Sequence, residues 1–203
     1  MNGMSPVEEI AVIVSLLGVW LTARRIWWCW PVGLVGVLLY AWLFYGWKLY
    51  SDMLLQGAYV VLQLYGWRRW RVRADAETVV GVAPLPTGEA RMALGCGVAG
   101  AMALGWAMRR FTDAALPWMD AGLTSFSLVA TLWAARRHRE NWVLWIVVDT
   151  IYAGMFAYRG FYLTAALYAL FVGLAIYGAV AWRGVGRRAR FDRTFARTWK
   201  AGA

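Results

Sequence analysis

The chain has 203 residues, of which 62% are hydrophobic and only 16% charged, where a soluble domain carries about 25% charge. With a mean hydropathy of +0.50 and fifteen tryptophans, a soluble globular fold is excluded and an integral membrane protein is expected. A formal charge of +10 would suggest nucleic acid for a soluble domain; in a membrane chain the placement of Lys and Arg in the loops carries the meaning, and no nucleic-acid partner is expected.

Apolar segments at about 7–22, 27–45, 53–67, 92–108, 117–135, 142–158 and 161–182 each approach the ~20 residues that cross a bilayer, so the sequence predicts seven membrane spans. The first has Glu8 and Glu9 before it rather than basic residues, and no small-residue cleavage site follows, so it is expected to stay in the mature protein. The odd-numbered connections and the tail hold Arg24 and Arg25, five basic residues between Arg68 and Arg91, Arg136, Arg137 and Arg139, and seven from Arg183 onward. Only Lys48, Arg109, Arg110 and Arg159 remain for the other side. The positive-inside rule then predicts an external N-terminus and a cytoplasmic C-terminus in the inner (plasma) membrane.

Residues 15–71 align without a gap on residues 127–183, an offset of 112. Identical pairs include Ser15/Ser127, Arg24/Arg136, Arg25/Arg137, Trp30/Trp142, Tyr40/Tyr152 and Trp70/Trp182. A shared apolar bias would match Leu with Leu, but it would not bring arginines, tryptophans and Tyr-Gly steps into one register. The predicted fold is therefore all-α: seven transmembrane helices, arranged as two parallel three-helix repeats joined by a connector helix (3+1+3). The expected division is a first repeat over 7–71, a cytoplasmic link and connector over 72–110, a second repeat over 117–183 and a basic tail over 184–203. Gly97, Ala101 and Gly105 on the connector follow a small-xxx-small pattern that reads as helix packing.

The third span carries Asp52, Gln56, Tyr59 and Gln63 at spacings of four, three and four, which puts them on one face. Such groups are costly against lipid and mark a solute pathway or interhelical hydrogen bonds. Where the repeats differ, Asp149 stands near the middle of span six opposite Val37, and Trp142, Trp145, Tyr152 and Phe156 share its face. The depth of Trp142 and its counterpart Trp30 also fits an interfacial aromatic belt. Asp52, Gln56, Tyr59, Gln63, Trp142, Trp145, Asp149 and Tyr152 form the candidate solute site. Aromatic faces beside a carboxylate favour a flat organic cation, and amides suit a carboxamide or hydroxyl groups.

No nucleophile–base pair or metal-ligand spacing is present, so neither an enzyme nor a cofactor or metal is expected. His138 reads as a solvated residue of a basic loop, and Cys29 and Cys96 as packing residues. The tail, with Phe191, Phe195 and Trp199 at spacings of four, suits either an amphipathic helix on anionic lipid or a disordered basic anchor.

The stretches CWPVGLVGVLLYAWLFYGWKLYSDMLLQGAYVVLQLYGWRRW (29–70), ENWVLWIVVD (140–149) and RGFYLTAALYALF (159–171) resemble the PnuC family of vitamin transporters. They carry its W-P-x-G, L-Y-x-D-x-x-L-Q-x-x-Y, Y-G-W-x-x-W and W-x-x-W-x-x-x-D patterns. The resemblance implies a 3+1+3 fold similar to the SWEET sugar facilitators, a homotrimer, and import of nicotinamide riboside that is trapped by phosphorylation inside the cell. Relatives in that family carry thiamine or riboflavin, so the resemblance leaves the vitamin open.

Overall fold

The computed structural model describes residues 6–46, 50–74, 81–112 and 116–201, with side chains described except at 8, 50–52, 54, 73–74 and 184–201. These residues form seven α-helices: α1 (Pro6–Ala23), α2 (Cys29–Gly46), α3 (Tyr50–Ala74), α4 (Thr87–Phe111), α5 (Pro117–Ala135), α6 (Asn141–Tyr158) and α7 (Tyr162–Ala201). Seven helices thus stand where seven spans were expected, with α3 and α7 running past the predicted ends. α2, α4 and the Tyr162–Arg183 part of α7 are long and apolar enough to cross a membrane on length and composition alone. α5 and α6 carry polar groups that the fold turns inward: Ser125, Ser127, Thr131 and Asp149 are all buried. The large apolar side chains face outward instead, among them Trp42, Val61, Met102, Trp106 and Val143, the reverse of a soluble protein and the pattern that lipid requires.

α1 packs on α2, α2 on α3, α4 on α5 and α6 on α7, while α1 meets α7 and α3 meets α5. The helix ends that carry most of the arginines gather together, and the packed core lies there. Trp30 meets Trp70 edge-on at 5.5 Å, Trp142 meets Trp182 edge-on at 5.5 Å, and Trp70 and Trp182 lie 6.2 Å apart. Each outer indole needs a slot in the neighbouring helix. A Cβ on Gly66 would collide with the Trp30 ring, and one on Gly178 would lie 2.5 Å from the Trp142 ring, so the Tyr-Gly steps exist to let an indole lie on helix backbone. Trp142 is 1% exposed and Trp30 4%, which overturns the aromatic-belt reading of both.

Two loops share one conformation. α1 and α5 both end in a Schellman motif with an arginine in the left-handed region, Arg25 at φ 60° and Arg137 at φ 67°. The paired bonds run from Arg25 N to Thr22 O and Ile26 N to Leu21 O, and from Arg137 N to Ala134 O and His138 N to Trp133 O, all 2.9–3.0 Å. A left-handed arginine costs about 1–2 kcal/mol relative to its ordinary backbone, offset in each loop by two carbonyls satisfied at the helix end.

The link into α4 breaks this likeness. Its Ala83 N–H donates to Arg137 O at 2.9 Å, and the Arg137 guanidinium donates to Gly81 O at 3.2 Å. Arg136 pairs with Glu89 at 2.6 Å, and His138 stands 3.2 Å from the same carboxylate oxygen through Nε2 and 3.3 Å from Ala83 O through Nδ1. His138 is 5% exposed and walled in by the link. It is not the solvated loop residue that its basic neighbours suggested, because the link folds back over the loop and removes it from water. The Arg136 guanidinium, hydrogen-bonded to Glu89, holds that carboxyl below the usual carboxylate range.

α4 lies on α5 as its small residues led us to expect. Gly97 receives Phe126 and Val129, Gly105 receives Trp118, and Ser125 Oγ donates across to Gly97 O at 2.7 Å. Cys29 is buried and Cys96 exposed, both as free thiols. The tail's aromatic side chains lie outside the described residues; its backbone continues α7 to Ala201.

Candidate functional site

The mid-depth of the bundle holds a carboxylate among aromatic rings. Asp149, half-way along α6, is 6% exposed and has neither a hydrogen bond nor an ion pair among the described residues. One turn further along, Tyr152 stacks on Tyr168 of α7 at 4.8 Å, and Phe156 stacks on Tyr168 at 5.4 Å and on Tyr152 at 6.1 Å. Tyr152 and Phe156 come together because a spacing of four puts them on one face of α6. Tyr168 lies within electrostatic reach of Tyr152, Asp149, Tyr40 and Tyr59. Tyrosines of α2, α3, α6 and α7 thus gather around Tyr168, with Tyr59 and Tyr168 in reach of the acid.

Tyr59 of α3 faces α5. It lies beside Ser127, whose own Oγ donates along α5 to Leu123 O at 2.8 Å. Gln63, one turn along α3, lies across the backbone of α2, where a Cβ on Gly33 would come 2.6 Å from its Nε2. Gln56 is half-buried. Neither glutamine makes a hydrogen bond among the described residues, so both amides keep their full donor and acceptor capacity. Trp145 is half-buried and packs against the tryptophan core.

The structure brings together Tyr59, Asp149 and Tyr152 of the expected set, with Gln63 and Trp145 on the neighbouring turns. Trp142 stands apart, its ring already covered by Gly178 and Trp182. The side chain of Asp52 lies outside the described residues. Tyr40 and Tyr168 were not singled out by the sequence, although Tyr40 is the repeat counterpart of Tyr152 and Tyr168 of Gln56; that register was the available signal.

Uncommitted amides, an unpaired acid and stacked rings inside a helical bundle suit a flat polar solute, and no described group is arranged for covalent chemistry. Such an interior, enclosed by an outward-facing apolar surface, defines a multi-pass membrane transporter. The sequence pattern of the nicotinamide mononucleotide transporter family matches residues 5–184, and the chain belongs to that family, the PnuC transporters. The nicotinamide riboside transporter PnuC of Escherichia coli (strain K12) is 26% identical over 88% of this chain and 85% of its own. PnuC of Neisseria mucosa is 29% identical over 77% of this chain and 64% of its own. The riboflavin/roseoflavin transporter RibM of Streptomyces davaonensis is 26% identical over 86% of this chain and 83% of its own. A crystal structure of the vitamin B3 transporter PnuC superposes with a TM-score of 0.71 at 27% identity, covering 88% of this chain and 81% of that one.

Proposed function

We propose that this protein is an inner-membrane facilitator that imports nicotinamide riboside by alternating access, with net uptake driven by phosphorylation of the solute inside the cell. The observation that carries this reading is Asp149, a buried carboxylate with no cation beside it among the described residues, ringed by Tyr59, Tyr152 and Tyr168. A pyridinium ring supplies the missing positive charge and a flat face, and each aromatic contact with a cation contributes about 0.5–2 kcal/mol. Gln56 and Gln63 are then the partners of the carboxamide and ribose hydroxyls, Trp145 an aromatic wall, and Asp52 a member of the outer lining, while Trp142, sealed against α7, is left to packing. Thiamine meets the same requirement of ring and charge. Riboflavin, which RibM carries, has the flat ring without the charge.

The 3+1+3 arrangement is part of this proposal. The matching Schellman loops, the tryptophans seated alike on Gly66 and Gly178, and the exchanged contacts of α1 with α7 and α3 with α5 support two parallel repeats, 7–71 and 117–183, about an axis along the membrane normal. We place the arginine-rich end and the tail in the cytoplasm. Ion coupling has no paired carboxylates to use, since Asp149 corresponds to Val37 and Asp52 to Thr164. A homotrimer, implied by the resemblance, remains part of the proposed assembly.

Calorimetric titration of the detergent-purified protein against nicotinamide riboside, thiamine and riboflavin tests the substrate. Nicotinamide riboside should bind tightest and riboflavin weakest, and tighter binding of riboflavin would overturn the cation reading. In proteoliposomes with equal solute on both sides, a proton or sodium gradient should drive no accumulation; sustained uphill uptake would replace the facilitator with a symporter.

A further inference from the structure

Gly33 and Gln63 correspond, 112 residues on, to Trp145 and Ala175. The exchange is reciprocal: where α2 has no side chain α3 carries a long amide, and where α6 carries an indole α7 carries one methyl group. A Cβ on Gly33 would lie 2.6 Å from Gln63 Nε2, 2.9 Å from Oε1 and 3.0 Å from Cδ. The amide therefore occupies room that exists only because residue 33 is glycine. On the other side Ala175, 1% exposed, belongs to the cluster against which Trp145 packs. One layer of the bundle is filled from α3 in the first repeat and from α6 in the second, with bulk traded between facing positions.

We propose that Gly33 is a positioning residue for the solute. It sets where the Gln63 amide stands, and together with the Ala175–Trp145 exchange it gives the site a hydrogen-bonding wall on the α2/α3 side and an aromatic wall on the α6/α7 side. A flat cationic solute with polar substituents enters such a layer in one orientation, ring toward α6 and hydrogen-bonding groups toward α3. The inference rests on the reading of Gln63 as a solute ligand. An alanine methyl at residue 33 displaces the amide by about 1 Å, the difference between 2.6 Å and a contact of roughly 3.5 Å. What moves is the far end of a flexible side chain, so the helices keep their places.

The experiment is a binding titration with nicotinamide riboside on the full-length protein, its Gly33→Ala and Gln63→Ala variants and the double variant, each with a thermal unfolding curve. Gly33→Ala should weaken binding about fivefold to tenfold at an unchanged melting temperature, Gln63→Ala should do the same, and the double variant should match Gln63→Ala alone. Wild-type affinity in Gly33→Ala, or a loss that adds in full on top of Gln63→Ala, overturns the role of Gly33 while leaving Gln63 a ligand. Wild-type affinity in Gln63→Ala removes Gln63 from the site and this inference with it. Should Gly33→Ala alone fail to fold, the double variant, which removes the colliding amide, carries the comparison; if it too fails or melts lower than Gln63→Ala, Gly33 serves packing and the proposal falls.

Discussion

The indole nitrogen of Trp70 stands 3.1 Å from the carbonyl oxygen of Ala135, and 112 residues displaced in each direction Trp182 makes the same 3.1 Å bond to Ala23. One bond joins α3 to α5 and the other α7 to α1, each at a carbonyl left free where α5 or α1 ends. Trp70→Phe and Trp182→Phe should each strand a buried carbonyl and lower stability by about 1–3 kcal/mol, in similar amounts. Thermal unfolding in one detergent gives the comparison; a large loss in one variant and none in the other would end the equivalence of the two bonds.

Gly66→Ala and Gly178→Ala each put a methyl group into an indole ring that has no room to retreat, since Trp30 and Trp142 are themselves capped by Trp70 and Trp182. Overpacking of this kind costs about 1–3 kcal/mol. The drop in melting temperature should exceed that of Gly173→Ala, where a Cβ meets nothing within 4 Å.

The seven helices were legible because apolar length is a property of the chain alone. Asp149 was legible as a buried acid from its depth in an apolar span. Tyr168 and Tyr40 were not, since aromatic residues are common in membrane helices and only packing brings Tyr40 into reach of Tyr168 and Tyr168 into reach of Asp149. Trp142 was placed in the solute site because it shares a face with Asp149; the slot at Gly178 that seals its ring is a feature of α7. His138 was misread for a similar reason. The link residue that covers it, Ala83, acts through its backbone and leaves no mark in the sequence.

Asp149→Asn keeps the shape of the site and removes its charge. Binding of nicotinamide riboside should weaken by about 1–3 kcal/mol, while binding of an uncharged solute such as riboflavin should change less. Equal effects on both solutes would mean that Asp149 acts through packing.

Glu89 ties the link to the α5–α6 loop, and its pH dependence follows from its lowered pKa. A carboxyl with a folded pKa below its unfolded value near 4.5 contributes stability that is complete above that value and lost as pH falls through the folded pKa. Glu89→Gln should therefore cost about 1 kcal/mol at pH 6 and above, a modest figure because the pair is partly solvated. The gap in melting temperature between wild type and variant should close below about pH 4.5. A gap that widens in acid would reverse the assignment.

Orientation has a direct readout. A reporter active only in the cytoplasm should work after Ala203 and fail before Met1, as the uneven division of basic residues implies. The opposite pattern would turn the bundle over.

α4 does not hang midway between the two repeats. Phe126, Val129, Trp118 and Ser125 of α5 hold it along its length, and the pairing of Ala83 with Arg137 and of Glu89 with Arg136 and His138 pins its entry to the same side. On the proposed alternating-access reading, α4 to α7 would move as one body against α1 to α3. A swing between these two bodies would load the two indole bonds at Ala23 and Ala135.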